Sequence, residues 1–94
     1  MKIDFDKFLK GEIAYVVDTN NIDDLLGVLE VNSDLYWLSG VKPTKYNPFD
    51  SYFMDGKEYI TLGIYKTTKG CCGLGYNEKW WFESHDYKVE VFQC

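Results

Sequence analysis

The run Ile13-Ala14-Tyr15-Val16-Val17 is apolar without a break and is bounded by Glu12 and Asp18. Its members largely favour extended chain, and because polar residues never alternate with apolar ones, neither face of such a strand can look at water. The run therefore predicts a strand buried on both sides, in the middle of a sheet. A chain of 94 residues can build one such sheet around one modest core, so residues 1–94 read as a single domain. A core this size leaves little for a deep, well-walled catalytic cleft, and a small binding module is the simpler expectation.

The elements around that strand follow from local pattern. Asp4 can cap a short helix in which Phe5, Phe8 and Leu9 share a face, and Gly11 suits its left-handed end. Ile22, Leu25, Leu26 and Leu29 recur at helical spacing after Asn20-Asn21, with Asp23 and Asp24 in the first turn where the helix dipole favours them. Leu35-Tyr36-Trp37-Leu38 reads as a strand ended by Ser39-Gly40. Tyr59 to Tyr65 alternates, with Ile60, Leu62 and Ile64 on one face. Tyr87 to Phe92 alternates too, with Val89 and Val91 inward, and Asn77 to Ser84 fits a short capped helix or turn. The expected fold is α+β, with about four mainly antiparallel strands and two principal helices packed on one face.

Charge narrows the function. Residues 1–41 carry three Lys against eight acids, whereas residues 42–94 carry seven Lys against seven acids. All ten cations are Lys. Without Arg there is no guanidinium fork to read phosphates or guanine edges, and the net charge of −5 removes the counterion-release drive for duplex binding. Direct nucleic-acid binding is not expected. The N-terminal MKIDFDKFLKGE has acids where a signal peptide needs an apolar core, and no apolar run reaches membrane-spanning length, so the chain reads as cytosolic. Three cysteines, an odd number, agree with a reducing compartment.

The segment Lys69 to Trp81, KGCCGLGYNEKWW, invites chemistry. It lacks the order of a Walker or dinucleotide loop. Zinc could draw only on Cys71, Cys72, His85 and Cys94, and adjacent cysteines diverge where zinc sites want a two-to-four-residue gap. Catalysis would need Cys71 or Cys72 beside His85, with Asp86 to orient it, and no spacing favours that. The segment reads as a tight turn beside a core, with the cysteines as small apolar residues, and no cofactor, metal or enzyme is expected.

The long stretch VKPTKYNPFDSYFMDG carries both prolines and four rings, Tyr46, Phe49, Tyr52 and Phe53. Loops of this length are usually functional, so the stretch is either a contact surface or an aromatic flap over the core.

The succession FDKFLKGEIAYVVDTNNIDDLLGVLE, YWLSGVKPTKYNPFD, YITLGI and KWWFESHDYKVEVF resembles a group of small uncharacterised proteins encoded by phages, prophages and plasmids of low-GC bacteria. The likeness runs over nearly the whole chain. It rests on folding motifs, among them Trp-x-Ser-Gly and the closing Tyr-Lys-Val strand. The Cys71-Cys72 pair is not part of that pattern, and the group offers no catalytic residues to carry over. The resemblance implies, by analogy, a host-cell inhibitor of bacterial defence such as an anti-CRISPR protein. Tyr46, Phe49, Asp50, Tyr52, Phe53, Asp23 and Asp24 would then meet a host protein. The alternatives are a sponge for a nucleotide immune signal, using Lys66, Lys69, Tyr76, Trp80 and Trp81, or an accessory phage protein; self-association stays open.

Overall fold

The computed structural model describes residues 3–50, 56, 58–66 and 72–92. The chain is a small α+β domain: helix α1 (Phe5–Leu9), strand β1 (Ile13–Asp18), helix α2 (Ile22–Asn32), strands β2 (Tyr59–Lys66) and β3 (Cys72–Asn77), helix α3 (Lys79–Ser84) and strand β4 (Lys88–Val91). The sheet order is β3-β2-β1-β4. β2 pairs antiparallel with both β1 and β3, and β4 pairs parallel with β1. The uninterrupted apolar run thus lies between two partners, as its lack of alternation requires.

Strand parity sorts the side chains into two layers. On one face Ile13, Tyr15, Val17, Ile60, Leu62, Ile64 and Leu74 form a single buried cluster with Phe8 of α1 and Ile22, Leu25, Leu26 and Leu29 of α2. Phe8 stacks on Tyr15 at 5.8 Å and Phe92 meets the same ring edge-on at 6.2 Å. On the other face the sheet carries Ala14 opposite Gly63, with Gly75 beyond it on β3. There the fully buried Phe82 of α3 lies where a Gly63 side chain would begin, 2.5 Å from the position of a Cβ. The aromatic layer can approach the backbone only because two strands have almost no side chain there.

The helices end for local reasons. Asp4 Oδ1 accepts the Lys7 amide at 3.1 Å, and Gly11, at φ 73°, takes the left-handed conformation after α1. Asn21 precedes α2 without capping it; its side chain accepts the Asp18 amide at 2.8 Å and donates to the Phe92 carbonyl at 3.2 Å, joining the end of β1 to the end of β4.

Three expectations need correction. Leu35–Leu38 is not a strand: Trp37 makes one isolated parallel bridge to Leu74, and the chain turns at once through Gly40 at φ 95°. Of the stretch Lys69 to Trp81, expected as a tight turn, residues 69–71 lie outside the described residues and Cys72–Asn77 is strand β3, whose Gly73 and Gly75 make room for Leu38 and the Tyr65 ring. Val91 is not inward but 64% exposed. It pairs with Val16 on the edge strand, two residues beyond the Ala14 position that Phe82 covers.

Two glycines should respond in opposite directions. Gly63→Ala, facing Phe82 and Ala14, is expected to cost about 1–3 kcal/mol by overpacking, with part recovered when Phe82→Leu is added. Gly27→Ala, with no atom near its Cβ position, should stabilise α2 by roughly 0.5–1 kcal/mol. Thermal melts of these variants beside the unmodified chain check both signs.

Candidate functional site

Two concavities carry the aromatic and charged residues of interest. The first lies along the outer edge of β3 and encloses about 430 Å³. Its walls are Trp37 and Leu38, Tyr46 from the proline-rich segment, Tyr76 of β3, and Tyr65, which rises from β2. The bridge segment builds it: Leu74 donates to the Tyr36 carbonyl at 2.8 Å, Leu38 donates to the Leu74 carbonyl at 3.2 Å, and Trp37 donates to the Val41 carbonyl at 2.9 Å. The indole is fixed as well, its Nε1 donating to the Pro43 carbonyl at 3.0 Å. Trp37 meets Tyr46 edge-on at 5.4 Å and Tyr76 at 6.1 Å. Leu38, on its wall, is 51% exposed, and Tyr36 and Val41 of the same segment are 46% and 39% exposed.

Polar groups at this edge are bonded to one another. Tyr65 donates its hydroxyl to the Tyr76 carbonyl at 2.9 Å and accepts from Asn77 Nδ2 at 3.1 Å. The Tyr46 and Tyr76 hydroxyls share a hydrogen bond of 3.3 Å. That bond and, after it, burial push the Tyr76 phenol up to about 12.

The proline-rich segment is tied down to α2. Thr44 donates both its amide (3.1 Å) and its hydroxyl (2.7 Å) to Glu30 Oε1, which holds the Glu30 carboxyl below its usual range. Asn47 Nδ2 donates to Asp23 Oδ1 at 3.3 Å. Tyr46 and Phe49 are half-buried and pack against the core cluster. These two rings act as a flap, and Tyr46 also lines the hollow. Asp23, Asp24 and Asp50 are exposed, whereas Tyr52 and Phe53 fall outside the described residues.

The second concavity, about 710 Å³, opens where the α1–β1 turn, the end of β2 and the α3–β4 junction meet. It holds Lys66 and Trp81, two of the five alternative ligand residues. Of the others, Tyr76 lines the β3-edge hollow, Trp80 is 66% exposed on α3, and Lys69 is outside the described residues. Trp81 is sandwiched between Tyr65 at 4.8 Å and His85 at 4.0 Å. His85 Nδ1 lies 2.7 Å from the Trp81 carbonyl. Since a carbonyl only accepts, the ring is anchored by this bond rather than by Asp86. The cluster is legible in part: Trp81 and His85 are four residues apart, one helical turn, but the polar run around His85 reads as a surface turn.

Cys71 and Cys94 lie outside the described residues, and Cys72 opens β3 opposite Lys66. Among the described residues no group of three His, Cys, Asp or Glu side chains could hold a metal ion, and no helix is long and apolar enough to cross a membrane.

Because the folded state favours the neutral Tyr76 phenol, this group adds stability below pH 10.0, the ordinary tyrosine value, that is lost as pH rises toward about 12. Tyrosine-ring NMR titration should show one phenol titrating near the upper value, returning toward the ordinary value in Tyr46→Phe. An unshifted Tyr76 in the unmodified protein would contradict the assignment. Compared with known proteins, the chain matches no family model, no curated protein and no solved structure.

Proposed function

We propose that this chain is a non-catalytic, phage-encoded binding protein that inhibits a host defence protein, of the anti-CRISPR kind or a related one, by direct contact in the host cytoplasm. The observation that supports this reading is the aromatic hollow at the β3 edge, with Leu38 exposed on its wall and Tyr36 and Val41 exposed in the same segment. Contiguous exposed apolar surface around a pocket is characteristic of protein contact sites, and Tyr and Trp dominate the energetics of such sites. The hollow has room for an apolar anchor from the partner. Its walls are fixed by the Trp37–Pro43 and Tyr46–Tyr76 hydrogen bonds, so little side-chain freedom is lost on docking.

The acidic first half has a smaller part in this reading than its charge suggests. Asp4 caps a helix, Asp6 pairs with Lys10 at 3.1 Å, Asp18 holds the Asn20 and Asn21 amides, and Asp23 and Glu30 anchor the proline-rich segment. Apolar contact is therefore the main term and salt dependence the minor one.

The tagged protein, purified from phage-infected bacteria, should retain a host protein in near-equal amount. Leu38→Glu, which places a carboxylate on the exposed wall of the hollow, should abolish that retention and the anti-defence effect on phage plating while the chain stays folded at the assay temperature, as circular dichroism would check. Lys66→Gln should leave both intact. Retention and plating unchanged by Leu38→Glu would refute this surface.

A further inference from the structure

The cleft around Lys66 has a construction that the β3-edge contact does not use. Gly11 is buried at φ 73° where α1 turns into β1, and a Cβ there would run into the Lys66 stem, whose Nζ lies 3.1 Å from that position. The missing side chain thus gives the lysine its path across the turn. Among the described residues no carboxylate pairs with Lys66. Lys88 lines the same cleft and is held at 3.3 Å from Glu90. His85 closes the Tyr65–Trp81–His85 stack and is exposed, so its outer face is open to a further planar ring. With Nδ1 engaged by the Trp81 carbonyl, Nε2 is the nitrogen left for a ligand. Glu12 and Asp86 complete the lining. In a chain of net charge −5, this cleft brings two lysines and a histidine against two carboxylates.

We propose that this cleft binds a nucleotide-sized phosphorylated ligand. Lys66 and Lys88 receive the phosphate, a planar base extends the ring stack on the outer face of His85, and Glu12, Asp86 and His85 Nε2 accept hydrogen bonds from sugar hydroxyls or exocyclic amino groups. Each component has a chemical reason. Ammonium groups make charge-assisted bonds to phosphate oxygens, a carboxylate accepts only from donors, and stacking on an aromatic face tolerates any base. The volume is within the range of small-molecule sites, roughly 300–1,000 Å³, and the stacked wall is held in place before a ligand arrives.

The test is a titration of the ¹⁵N-labelled full chain with AMP, GMP, CMP and UMP, each to millimolar concentration, with adenosine and inorganic phosphate as separate arms. At least one monophosphate should shift the amides of Gly11, Lys66, His85 and Lys88, with adenosine and phosphate each binding about tenfold more weakly or worse. Lys66→Gln should weaken the monophosphate by about tenfold and Lys66→Arg should restore most of it. Trp80→Ala, outside the cleft, should change nothing. Adenosine binding as well as AMP would overturn the phosphate assignment, and phosphate binding as well as AMP would overturn the base. Silence from all four monophosphates would overturn the site. Tyr65 borders both concavities, but Leu38 lines only the first and Lys66 only the second, so Leu38→Glu and Lys66→Gln test the two surfaces separately.

Discussion

The seating of Phe82 on a sheet stripped to Ala14 and Gly63 is the contact from which the rest of the architecture follows. A central strand must bury both faces, and among the described residues the second face of β1 is covered at Ala14 and Gly63 by Phe82 of the six-residue helix α3. One phenylalanine suffices because the strands beneath it are nearly bare, and dense packing makes that fit intolerant of even one extra methyl group. Phe82 in turn positions Trp81 edge-on at 5.0 Å and Tyr87 at 4.9 Å. Tyr87 donates its hydroxyl to the Ile64 carbonyl, joining the start of β4 to β2. The stack that walls the lysine cleft is built on this core contact.

The same economy shapes the opposite edge. β3 has an open side, which exposes unpaired backbone groups unless something blunts it. The Trp37 bridge blunts it at Leu74, and the turn through Gly40 returns the chain toward α2. This is the physical content of the Trp-x-Ser-Gly step: the tryptophan fills the core, being 4% exposed, while the residue after it caps the sheet edge and stays half in water. A structural solution to an edge strand thereby leaves apolar side chains exposed, and they form the surface proposed to meet a partner.

What the sequence discloses, and what it hides, follows from the same glycines. β1, α2 and β2 are legible because their burial is periodic or complete, and local chemistry marks Asp4 and Gly11 correctly at the ends of α1. β3 is hidden because Gly73 and Gly75 look like turn residues; their reason is tertiary, since Leu38 and the Tyr65 ring occupy the space side chains would need. Leu35–Leu38 reads as a strand because aromatic content suggests pairing, whereas the segment makes one bridge. Lys66 and Trp81 are marked by residue type, and local spacing joins Tyr65 to the first and His85 to the second, but the two pairs and Lys88 meet only through the crossing of β2, α3 and β4. No pattern local to any one segment could place them together.

The central claim is that the β3 edge is the working surface of a binding protein. Hydroxyl-radical footprinting of the tagged chain inside phage-infected bacteria, against the purified chain in buffer, tests it whatever the identity of the partner. The account predicts that labelling of Tyr36, Leu38 and Tyr46 falls several-fold in the cell while exposed residues elsewhere, Val31 on α2 and Trp80 on α3, keep theirs. Unchanged labelling at the β3 edge, or protection confined to α2, would contradict it.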